Sequence, residues 1–187
     1  MKRAAIVVLV SAMLGAGGCG APGVTAAEKR AGIDMMAKDT LERLYAENPQ
    51  ARQEIRTAPG YAVFEKSKID VLLITGGGGF GVAVDGKTGK RTYMKIGMGG
   101  VGPGLGAKDY RVVMIFPSEY IFRKFADSGW QFGGQAEATA KAEGEGGDAT
   151  VTRTFADVKF YQLTEKGLLA GATATGSKYW PYDELND

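Results

Sequence analysis

Gly81, Gly86, Lys87 and Thr88 have the spacing of the phosphate loop G-x-x-x-x-G-K-[ST]. Just upstream, Gly76, Gly78 and Gly81 fit the dinucleotide pattern G-x-G-x-x-G. Either would hold phosphate on backbone N–H groups at a helix N-terminus, so each needs a strand before it and a helix after it. Neither context is present. Val82-Ala83-Val84-Asp85 reads as a strand, and Gly89-Lys90-Arg91-Thr92-Tyr93 begins another. Asp85 to Lys90 is a hairpin connection with Asp-Gly as its turn signal. The sequence therefore argues against a nucleotide partner and for glycines that let strands bend or let other backbone come close.

The remaining chemistry is limited by composition. The chain has no histidine and one cysteine, Cys19, which removes histidine bases, catalytic triads and histidine metal ligands. Acidic residues are scattered, and Glu143, Glu145 and Asp148 lie in a glycine-rich stretch read as a solvated loop, with a calcium site as the lesser alternative. No catalytic residue, metal or cofactor is expected, and the chain is read as a non-enzyme. The densest functional pattern is basic: Lys87, Lys90, Arg91 and Lys95 on and beside one hairpin. If Arg91 opens a strand, then Arg91, Tyr93 and Lys95 share one face. Such an edge suits an anionic headgroup; the alternative is a solvated hairpin kept soluble by charge.

The N-terminus gives the expected location. Lys2 and Arg3 precede an apolar run from Ala4 to Leu14, broken only by Ser11, followed by small residues up to Cys19. That is the pattern of an export signal, too short for a membrane span of ~20 residues. A lipoprotein signal ends on such a cysteine, so residues 1–18 are read as the signal, Cys19 as the lipidated first residue, and 19–27 as a tether. Gly20 favours an outer-membrane destination facing the periplasm. Without Lys2 and Arg3, the 23 basic side chains fall to 21 and balance the 21 acidic ones. A neutral chain has no global field for nucleic acid, so any anionic partner must be met by a local patch.

The elements that must position these residues are legible in part. Ala26–Glu47 has helical apolar spacing at Ile33, Met36, Ala37, Leu41, Leu44 and Tyr45, and Pro49 opens a second short helix through Arg56. Then the period changes. Tyr61–Glu65, Ile69–Thr75, Phe80–Asp85, Arg91–Met98 and Arg111–Phe116 read as strands. Ser118 caps a short helix ending near Gly129. Residues 130–143 alternate strictly, and Val151–Phe155, Val158–Leu163 and Leu168–Thr175 complete the strands. The fold class is α+β: a glycine-rich, mainly antiparallel sheet, sandwich- or barrel-like, with N-terminal helices and one short inserted helix.

Four stretches, APGYAVF (58–64), ITGGGGFGVAV (74–84), VGPGLGAKDYRVVMIF (101–116) and FYQLTEKGLLAGATATGSKY (160–179), make the chain resemble the SYLF-domain family. The resemblance covers roughly residues 30 to 180, and the domain is placed at 28–187. It implies lipid binding without catalysis, with membrane lipid as the partner. Related modules are associated with phosphoinositides and actin, and bacterial members are often secreted lipoproteins. The expectation is a lipid-anchored envelope protein whose domain binds anionic membrane lipid. The alternative is an envelope structural or assembly protein that binds a protein partner or peptidoglycan.

Overall fold

The structure is a computed structural model and describes residues 21–132, 151–155, 157–164 and 174–187. Cys19, the signal, the acidic stretch at 143–148, the alternation beyond residue 132 and the expected strand start at Leu168 lie outside the described residues.

Helix α1 (Ala26–Glu47) starts where local chemistry tells it to. Thr25 accepts from the Glu28 N–H while the Glu28 carboxylate accepts from the Thr25 N–H, closing a capping box. Those bonds hold the Glu28 carboxyl below its usual range. Helix α2 (Pro49–Thr57) has proline in its first turn, where no N–H is needed. Helix α3 (Glu119–Ser128) is capped by the Ser118 hydroxyl at one end and by Gly129 at φ +70 at the other.

Between α2 and α3 runs one long hairpin. Strand β1 (Gly60–Asp85) pairs antiparallel with β2 (Arg91–Phe116), each 26 residues long. The sequence reading breaks β1 into three strands and β2 into two, because glycine weakens a strand interior. The ladder instead runs through the glycine runs, which face one another: Gly76 pairs Gly99, and Gly78 pairs Gly97. Strands β3 (Trp130–Phe132), β4 (Val151–Phe155), β5 (Val158–Thr164) and β6 (Ala174–Pro181) complete a six-stranded sheet, with β5 on one half of β2 and β6 on the other. A short helix α4 (Asp183–Asn186) follows. Strand β6 runs past Thr175, where the sequence reading ends its last strand.

The hairpin curls over on itself, and a register shift between Leu72 and Ile74 makes that compatible with packing. The extra residue lies in β2, where Gly102 and Pro103 stand opposite Leu73. Odd β1 positions therefore pair with odd β2 positions at one end (Val63 with Val113) and even with odd at the other (Val82 with Tyr93), and all four belong to one side of the core. That side packs on Ile33, Met36, Ala37 and Leu44 of α1 and Ile55 of α2. The opposite side, inside the curl, holds Phe64, Met94, Met114 and Phe116 against Phe122 and Phe125 of α3. Phe125 makes ring contacts with Phe64, Phe116, Trp130 and Tyr179 at 5.0–6.1 Å between centroids. The two ends of β1 approach so closely that a Cβ at Gly79 or Gly81 would overlap the carbonyl oxygens of Glu65 or Val63. The architecture is an α+β half-barrel.

Candidate functional site

The connection after β1 is a tight turn built by Asp85. Its Oδ1 accepts from the Lys87 N–H at 2.9 Å and the Thr88 N–H at 2.8 Å. These bonds, the one from Thr88 first, keep the Asp85 carboxyl below its ordinary range. Gly81–Asp85 lie in β1 and Arg91 opens β2, so no helix follows the phosphate-loop pattern. The backbone N–H groups of Lys87 and Thr88 are occupied by Asp85, and a phosphate would have to displace a carboxylate to reach them.

The five candidate headgroup residues fall into two groups. Lys87 and Lys90 stand at the exposed tip. Lys87 Nζ lies 2.6 Å from Glu119 Oε2 of α3, and its side chain is 71% exposed. That contact raises the Lys87 ammonium above its usual range. Arg123 shares Glu119 at 2.8 Å, and the two cations hold the Glu119 carboxyl low. Lys90 is exposed, and its ammonium has no partner among the described residues.

Arg91, Tyr93 and Lys95 share one face, as their spacing requires, and that face is turned toward α1 and α4. Arg91 Nη1 reaches Asp34 Oδ2 at 2.9 Å. The Tyr93 hydroxyl donates to the same oxygen at 3.2 Å, and its ring is buried at 8% exposure. Burial first, and Asp34 second, push the Tyr93 phenol up, so it is neutral at physiological pH. Lys95 Nζ lies 3.7 Å from the centroid of the Tyr182 ring and 4.0 Å from Glu184 Oε1. Sequence reasoning found the basic face but not its acidic complement. Asp34, Glu119 and Glu184 come from three distant helices, and no short-range spacing ties them to the hairpin.

A second feature was not expected from the sequence. Along α1, between Asp34 and Tyr45, a groove of about 380 Å³ separates the helix from β1. Its floor is apolar and its rim is charged. Among the described residues, no three or more acidic or cysteine side chains group as metal ligands. No helix among them is long and apolar enough to cross a membrane.

Residues 97–187 match the family model described as Ysc84, Las17-binding protein actin regulator. The chain is also similar to beta cell expansion factor A of Aeromonas veronii, with 39% identity over 164 residues. That alignment covers 87% of this chain and 61% of the relative, so the chain spans about three fifths of that protein's length.

Proposed function

Since the chain belongs to the SYLF family, whose members are binding modules, we propose that it acts by binding anionic membrane lipid and performs no chemistry. The observation that carries the reading is the hairpin tip. Lys87, Lys90 and Arg91 all have exposed side chains, the Lys90 ammonium has no partner among the described residues, Lys87 is engaged in an exposed ion pair, and Arg91 pairs with the partly buried Asp34. Exposed pairs are worth ~0–1 kcal/mol, whereas each basic side chain near an anionic surface gains about 1 kcal/mol. Exchange of Glu119 for a lipid phosphate is thus close to balanced at Lys87, Lys90 adds a net gain, and Arg91 adds its exposed charge while it keeps Asp34. Tyr93 and Lys95 hold the base of the hairpin in place through Asp34, Tyr182 and Glu184.

In this reading the chain is exported and Cys19 carries the acyl chains that anchor it, in the outer membrane facing the periplasm. Tethering raises the effective concentration of the domain at a surface, so weak affinity suffices. The test is vesicle binding by the Lys87→Glu, Lys90→Glu double variant. Binding to anionic vesicles should fall at least tenfold, with thermal stability nearly unchanged because both side chains are exposed. Unchanged binding would remove the hairpin from the site.

A protein partner is the second reading, favoured by the description of the matched family as binders of Las17. Crosslinking in envelopes that captures one dominant protein through the hairpin face would select it over lipid.

A further inference from the structure

The groove along α1 meets the hairpin at one end, where Arg91 and Asp34 line it, and carries its own chemistry at the other. Asp34 and Tyr45, near its two ends, are eleven residues apart on the helix, a rise of ~16 Å at ~1.5 Å per residue. The cleft therefore runs along about three turns of α1. Its volume of about 380 Å³ falls within the ~300–1,000 Å³ range of small-molecule sites. Leu41 of α1 and Val82 and Val84 of β1 supply apolar lining.

The charges on the rim do not cancel. Asp34 is taken by Arg91 at 2.9 Å, and Lys38 faces Glu42 at 3.8 Å. Arg52 is left over. It lies over the Tyr45 ring, 4.5 Å from the centroid, and has no carboxylate partner among the described residues. The hydroxyls of Tyr45 and Tyr61 line the same cleft and make no hydrogen bond to another described residue. Burial raises both phenols, so both are protonated donors at neutral pH. One end of the groove thus presents a planar cation and the Tyr45 hydroxyl, Tyr61 stands nearer Asp34 and Arg91, and Ala37, Leu41, Val82 and Val84 supply an apolar strip between charged edges.

We infer that this groove binds a single-chain organic monoanion, a medium-chain carboxylate, with its headgroup at Arg52 and its chain along α1. The fork of a guanidinium matches a carboxylate in two parallel hydrogen bonds. A surplus of one positive charge suits a monoanion, while a dianionic phosphate would also meet Asp34 and Glu42. The alkyl chain would lie on the strip formed by Ala37, Leu41, Val82 and Val84, which a small hydrophilic anion would leave uncovered.

The test is calorimetric titration of the protein with decanoate below its micelle concentration, with decanol as the neutral control. Decanoate should bind, and decanol should bind at least tenfold more weakly. Arg52→Ala should weaken decanoate at least tenfold, because a charge-assisted pair is lost. Arg52→Lys, which keeps the charge and loses the fork, should fall between. Arg52 is exposed on α2, and circular dichroism of both variants checks that the fold is kept. Equal binding of decanoate and decanol, wild-type affinity in Arg52→Ala, or no decanoate binding at all would each overturn the proposal. Vesicle binding by the hairpin is read separately: normal vesicle binding without decanoate binding removes the groove site alone, and the reverse removes the hairpin site alone.

Discussion

Substituting alanine at Gly81 and at Gly99 should move stability in opposite directions. Both glycines sit within the long hairpin, and by propensity alone each change should help by ~0.5–1 kcal/mol, since glycine is costly in a strand. Their surroundings differ. A Cβ at Gly81 would overlap the Val63 carbonyl oxygen and come within 2.7 Å of Phe64 Cγ, far inside ordinary contact. A Cβ at Gly99 meets nothing within 4 Å. Overpacking costs ~1–3 kcal/mol. Gly81 belongs at the upper end, because one obstacle is backbone of the same strand folded back and the other is a fully buried ring. The net expectation for Gly81→Ala is a loss of about 2 kcal/mol, or roughly 4–8 °C in Tm for a chain of this size. Gly99→Ala should raise Tm by about 1–4 °C. Urea unfolding followed by far-ultraviolet circular dichroism measures both, and the slope against urea should be the same for the two variants. Equal effects, or a stabilised Gly81→Ala, would refute the close approach of the two ends of β1, and with it the curl of the half-barrel.

Phe125→Ala removes the ring at the centre of the inner cluster and should cost about 3–5 kcal/mol in the same assay. Glu54→Gln tests a second polar link, in which Lys159 Nζ lies 2.6 Å from one carboxylate oxygen and the Tyr161 hydroxyl donates to the other at 2.7 Å. Burial alone would raise the Glu54 carboxyl, but these two bonds outweigh it and leave it below the usual 4.5. Its contribution is thus complete above pH 4.5 and is lost as pH falls through the folded value. The substitution should cost about 1 kcal/mol at pH 7, since the side chain is about a third exposed, and progressively less as the pH is lowered below 4.5, as read from urea midpoints across that range. Asp85→Ala removes both acceptor contacts of the turn and should cost about 1–2 kcal/mol. Hydrogen exchange at Lys87 and Thr88 should accelerate with it.

The parts legible in the sequence are those set by neighbours along the chain. Thr25 with Glu28, Pro49, Ser118 and Gly129 fix the ends of three helices within a few residues of where the reading puts them. Asp85-Gly86 fixes the hairpin turn by the same local means. The glycine runs misled the reading into separate strands, since a single glycine weakens a strand, whereas here they face one another across the ladder. The register shift opposite Leu73 does have a local mark, Gly102-Pro103 in β2, since proline inside a strand is confined to edges and bulges; what the shift achieves, apolar residues from both ends of the hairpin in one core, depends on helices elsewhere in the chain. At the site, period two put Arg91, Tyr93 and Lys95 on one face. That Asp34 sits opposite two of them follows only from α1 folding over the sheet, 57 residues away from Arg91. The groove and the surplus charge of Arg52 arise from the same packing.

The most direct test is co-sedimentation of the chain from Gly20 onward, without the proposed anchor at Cys19, with vesicles of graded anionic content at low and high salt. The account predicts binding that rises with anionic lipid, falls with salt through screening, and is lost on charge reversal at Lys87, Lys90 and Arg91. Absence of binding to every vesicle, or binding indifferent to lipid charge and salt, would contradict it and leave a protein partner as the reading to pursue.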